Sequence, residues 1–95
     1  MNKYEALYII RTDIEESAIK ETVDKFSAIV AENGGTVEKC DEWGKRRLAY
    51  AIDYKNEGYY VLMQFTGDSR LPAELERNFK ISDNILRYLV TRLPE

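Results

Sequence analysis

Trp43-Gly44-Lys45-Arg46-Arg47 places three adjacent cations beside the chain's one tryptophan, immediately ahead of Leu48-Ala49-Tyr50-Ala51-Ile52. Cations of this kind meet phosphate oxygens or acidic side chains. The alternation Leu48, Tyr50, Ile52 reads as a half-buried β-strand whose near end carries the charge. Such a strand can dock in a core and still present cations to a partner. Trp43 has two readings: it wedges a bulge into the core, or it is an exposed anchor for another chain, since tryptophan is enriched at interface hot spots. A second cationic group comprises Lys80, Arg87 and Arg92, with Lys3 alongside if the first and last strands pair. The competing reading is that these long side chains cover apolar strands and pair with acids such as Glu38, Asp41 or Glu42.

Catalytic chemistry finds little support. The chain has no histidine, so the commonest general base and metal ligand are both missing. Its one cysteine, Cys40, can form no internal disulfide, lacks an adjacent base and reads as a small strand residue. Gly34-Gly35 and Gly58 fall short of a phosphate-cradling loop. Glu15-Glu16 and Asp41-Glu42 read as solvated acids. Arg11-Thr12-Asp13 has an arginine after the first strand but none of the glycines that an acylphosphatase loop needs. No enzyme activity, metal, cofactor or small-molecule substrate is expected.

A net charge of −3 over 95 residues argues against a solitary nucleic-acid binder. The charge is uneven, however. Between Arg11 and Gly35 the acids Asp13, Glu15, Glu16, Glu21, Asp24 and Glu32 outnumber Arg11, Lys20 and Lys25 by three, so the remainder is neutral and its cations cluster. Contacts depend on local clusters more than on bulk charge. Such a chain is a poor RNA binder alone and a good half of one. The length suits one domain, 1–95, and no linker or repeat divides it. The N-terminal residues lack the apolar core of a signal peptide, and no run reaches membrane-spanning length.

The elements that must position these residues follow from periodicity. Tyr4 to Ile10 alternates as a strand, with Tyr4, Ala6, Tyr8 and Ile10 on one face and Leu7 and Ile9 on the other. Thr12 or Asp13 offers an N-cap, with Glu15 or Glu16 in capping-box position. Ile19, Val23, Phe26 and Val30 then line one face of a helix that Asn33-Gly34-Gly35 ends. Thr36 to Ile52 is a long strand, bent or bulged near Gly44. A polar turn at 53–58 joins it to a strand over Tyr59–Thr66. Gly67-Asp68-Ser69 and Pro72 open a second helix with Leu71, Leu75 and Phe79 in register, ending near Lys80. Ile85 to Leu93 is the last strand. The order β-α-β-β-α-β predicts an α+β, ferredoxin-like fold: a four-stranded antiparallel sheet with two helices on one face.

The other face is left open. Val61, Met63 and Phe65 are the more apolar set of the third strand and should face the helices, leaving Tyr60, Leu62 and Gln64 outside with Leu7, Ile9, Arg87 and Leu89. Several exposed apolar groups on one surface mark a binding site. A base-stacking platform like that of RNA-recognition motifs is weakened by Glu57, Val61 and Gln64, which stand where that motif has a cation and aromatics.

Three stretches carry a family resemblance. Lys3-Tyr4-Glu5, Trp43 through Ile52, and Lys80-Ile81-Ser82-Asp83-Asn84-Ile85-Leu86-Arg87-Tyr88 occur in the order and spacing of bacterial small-subunit ribosomal protein six. The diagnostic strand of that family is a glycine, a variable, a basic and a polar position, then Leu-Ser/Ala-Tyr-x-Ile. Asp53 departs from the basic or small residue usual just after it. The resemblance covers nearly the whole chain. It implies a non-enzymatic, cytoplasmic component of the small ribosomal subunit that binds central-domain ribosomal RNA as a heterodimer with the small basic protein eighteen. Charge and face then nominate Lys3, Arg46, Arg47, Arg87 and Arg92 for RNA, and Leu7, Trp43, Tyr60 and Leu62 for the protein partner. The rival reading is a ferredoxin-like regulatory or homodimerisation module without RNA binding.

Overall fold

The computed structural model describes residues 1–52 and 55–94. In chain order the elements are β1 (Asn2–Ile10), α1 (Glu16–Glu32), β2 (Thr36–Ile52), β3 (Lys55–Gly67), α2 (Leu71–Ile81) and β4 (Ile85–Arg92). The strands form one sheet in the order β2-β3-β1-β4, every neighbour antiparallel. This is the ferredoxin-like arrangement expected from the sequence, with β2 and β4 at the edges.

The alternation in β1 sorts the layers. Tyr4, Ala6, Tyr8 and Ile10 are buried with Val61, Met63 and Phe65 of β3 beneath the two helices. At the centre the rings of Phe26 in α1 and Phe79 in α2 lie 4.4 Å apart, and both pack on Tyr8 at 5.4 and 5.0 Å. Tilted aromatic contacts at these separations add to the burial of large apolar surfaces. Tyr88 of β4 joins from the edge, 5.2 Å from Phe79. The Tyr8 hydroxyl, fully enclosed, has no hydrogen-bond partner among the described residues, and burial pushes its phenol far above the ordinary tyrosine value.

Helix α1 departs from expectation at its start. It begins at Glu16 with Glu15 as N-cap and no side-chain cap. Asp13 is held by Arg11, which donates to both carboxylate oxygens at 2.6 and 2.8 Å, and the Thr12 hydroxyl donates to Glu57. Both candidate caps are therefore engaged elsewhere. The C-terminus behaves as expected. Gly34, at φ 80°, donates to the Ala31 carbonyl and Gly35 to that of Val30, the pair of bonds of a Schellman ending.

The β2–β3 ribbon extends further than the sequence indicated. β3 starts at Lys55, and Arg46 and Arg47 pair with Gly58 and Glu57, so backbone pairing replaces most of the expected 53–58 turn. Position 53 and the side chains of Leu48, Tyr50 and Ile52 lie outside the described residues. β2 carries the bulge expected near Gly44, between Glu42 and Gly44, and a second between Val37 and Lys39. At α2 the N-cap is Arg70, and Asp68 acts one step earlier by accepting from the Arg70 amide at 2.8 Å.

Replacing Tyr8 by Phe removes a buried hydroxyl with no partner among the described residues. Thermal unfolding should show unchanged or higher stability, by up to about 2 kcal/mol. Gly35→Ala should cost about 1–3 kcal/mol, because its Cβ would stand 2.6 Å from both the Thr66 carbonyl oxygen and Leu71 Cδ2.

Candidate nucleic-acid and protein interface

Strand pairing places Lys3, Leu7, Arg46, Tyr60, Leu62 and Arg87 on the face away from the helices, and Arg47 and Arg92 on the other. One row across the sheet runs Asp41, Leu62, Leu7, Leu89. The next runs Gly44, Tyr60, Ile9, Arg87, and on the other side lies Lys39, Gln64, Glu5, Thr91. The result is an aliphatic band across the middle of the open face with polar and charged groups beyond it. Between β1 and β4 the band dips into a depression of about 290 Å³ lined by Leu7, Ile9, Arg87, Tyr88 and Leu89. Leu89 is 61% exposed, far more than an aliphatic strand residue needs to be.

The cationic run is split by the pleat. Arg46 pairs with Gly58, in step with Tyr60 and the open face, whereas Lys45 and Arg47 pair with Tyr59 and Glu57 in the opposite step. All three are exposed, and among the described residues none makes a salt bridge. Lys45 borders a pocket at the start of α1 with Glu16, Lys20, Glu42 and Tyr59. There the Tyr59 hydroxyl donates to Glu42 at 2.9 Å; burial first, then this bond, push its phenol up.

Trp43 is the extra residue of the bulge. Gly44 takes φ 81°, a conformation that disfavours a side chain, and the strand turns so that the indole stacks with Tyr60 at 6.2 Å and 9°. It is 42% exposed, which rules out the core wedge. The Arg46 guanidinium lies 5.6 Å from the ring centroid. Nothing in the residue spacing announced this stack, because the bulge adds a residue and changes the phase of the alternation.

The second cationic group is not one patch. Lys3 pairs with Thr66 and Arg87 with Ile9, both in step with the open face. Arg92 pairs with Tyr4, in step with the helix side, and donates to Asn2 Oδ1 at 2.8 Å. Lys80 lies in the last turn of α2. Cys40, exposed on β2, has its thiol pushed up by burial and then by Glu42, which disfavours the thiolate.

The family model described as ribosomal protein S6 matches residues 3–92. The chain belongs to the ribosomal protein S6 family. It is 50% identical over 95 residues to small ribosomal subunit protein bS6 of Thermoanaerobacter pseudethanolicus, covering 100% of both chains. With the bS6 of Clostridium acetobutylicum it shares 50% identity over 93 residues, 98% of each. A crystal structure of 30S ribosomal protein S6 from Thermotoga maritima superposes with a TM-score of 0.93 at 29% identity, covering 97% of this chain and 87% of that one. A crystal structure of an Arabidopsis thaliana protein aligns at TM-score 0.56 and 14% identity, over 100% and 95% of the two chains, which shows the fold alone. Membership of the S6 family makes this a protein of the small ribosomal subunit, cytoplasmic and not an enzyme. No helix among the described residues is long and apolar enough to cross a membrane.

Trp43→Ala should lower stability by about 1 kcal/mol or less, as at an exposed position outside the core. The tryptophan emission of the folded chain should be accessible to a soluble quencher. A loss of several kcal/mol on urea unfolding would return Trp43 to the core.

Proposed function

We propose that residues 1–95 act as one domain that binds the central domain of small-subunit ribosomal RNA as a heterodimer with small ribosomal protein eighteen. The observation that carries this reading is the open sheet face, where an aliphatic band is flanked by exposed cations in a chain of net charge −3. An apolar band suits a protein surface, whereas the cations at its margins suit phosphates. The negative total means that a basic partner supplies the long-range attraction to RNA that this chain lacks.

The roles divide along these lines. Leu7, Trp43, Tyr60 and Leu62 contact the protein partner, and Lys3, Arg46, Arg47, Arg87 and Arg92 contact RNA. Arg92 does so from the helix side of β4, so the RNA passes around the β4 edge and does not lie flat on the sheet. The rival homodimer module gains no specific support from the geometry.

Binding to a central-domain ribosomal RNA fragment across a salt series tests this. It should appear with the partner present, with log affinity falling against log salt at a slope of roughly −2 to −4 if about three to four cations of this chain contribute. Arg87→Glu should weaken assembly by tenfold or more while leaving the melting temperature within a few degrees. Binding that is absent with and without the partner, together with a homodimer in sedimentation, would transfer the argument to the regulatory module.

A further inference from the structure

We propose that the Trp43 indole is a seat for a cationic side chain of the basic partner, and that Arg46 holds this seat in the free chain. This rests on the heterodimer reading and extends it to the chemistry of the contact.

The geometry has three parts. Trp43, the extra residue of the bulge between Glu42 and Gly44, lies on the open face and is 42% exposed. Tyr60 stacks beside it at 6.2 Å, extending the aromatic surface and limiting tilt of the ring. Arg46 lies over it at 5.6 Å, two strand steps beyond the bulge and on the same face. The ring is therefore already occupied, and the occupant is a guanidinium. An indole is the strongest aromatic attractor of cations, and its attraction grows when the pair is taken out of water. An incoming protein surface would do that, whereas Arg46 in the free chain remains exposed.

The ring's own chemistry points to a cation as the newcomer, since an indole attracts one and Arg46 already takes that position over it. The acids of this face are engaged: Asp41 is bridged by Lys39 at 3.2 Å, and Glu5 accepts from Gln64. The partner's lysine or arginine and Arg46 compete for one ring. When the partner's cation takes the seat, Arg46 is released from it on the same face, and among the described residues it makes no salt bridge. It is then available to a phosphate. Linkage makes the effect reciprocal: RNA that draws Arg46 away opens the seat to the partner.

The test compares the full chain with its Arg46→Ala and Trp43→Leu variants, each checked for an unchanged melting profile. Calorimetry measures binding to small ribosomal protein eighteen without RNA, and filter binding measures the heterodimer on the ribosomal RNA fragment. Arg46→Ala should tighten partner binding roughly two- to fivefold, the equivalent of one exposed cation–π contact removed from the competing state. The same variant should weaken RNA binding and reduce the salt slope by about 1. In a Trp43→Leu background Arg46→Ala should no longer tighten partner binding, because the seat is gone. Partner binding that is unchanged or weakened by Arg46→Ala alone would overturn the inference while the heterodimer stands. A wild-type chain that fails to bind the partner at all would remove the heterodimer reading, and this one with it.

Discussion

The contact between Phe26, Phe79 and Tyr8 is the constraint on which the rest of the structure depends. It joins α1, α2 and the central strand β1 at one point, with all three rings essentially removed from solvent. Aromatic side chains bury large areas with few rotatable bonds, so one cluster can fix two helices on a sheet. With both helices committed to one side, the opposite side has no helix among the described residues to cover it. The open face is thus a consequence of how the core is closed. The enclosed Tyr8 hydroxyl marks the cost: the site selects a large flat ring and leaves its polar atom without a partner among the described residues.

The bulge in β2 acts on the other layer. Without an extra residue, strict alternation from Asp41 on the open side would keep Trp43 on that side and send Gly44 to the helix side. Inserting Trp43 itself at the irregularity allows both it and Gly44 to associate with Tyr60. The same shift decides which cation of the Lys45-Arg46-Arg47 run reaches the open face. Bulges also disrupt the regular edge that would otherwise invite pairing with another chain. On β2, an edge strand of 17 residues, the register against β3 shifts three times.

A family member that retains the fold at 29% identity indicates how few positions carry the architecture. The buried set is short and apolar, and its replacement by residues of similar volume is tolerated. Surface chemistry is a separate matter. The exterior of α1 is rich in acid, whereas exposed cations stand on both sides of the sheet, Arg46 and Arg87 on the open face and Arg47 and Arg92 on the helix side.

Periodicity in the sequence was enough to determine the element order, the core face of β1 and β3, and the Asn33-Gly34-Gly35 helix ending. Each depends on neighbours close in the chain or on a repeat of fixed period, and local sterics enforce both. The open face and its apolar members Leu7, Tyr60, Leu62 and Leu89 followed from the same alternation. Tertiary structure decided what alternation cannot carry across an irregularity. Asp13 was unavailable as a helix cap because Arg11 binds it. β3 ran back to Lys55 because Arg46 and Arg47 found backbone partners there. Arg92 and Arg87, by contrast, an odd five residues apart on a strand paired regularly between them, stand on opposite faces by alternation alone. The stack of Arg46, Trp43 and Tyr60 joins two strands across a bulge, so its register is a property of the paired sheet and of no single segment.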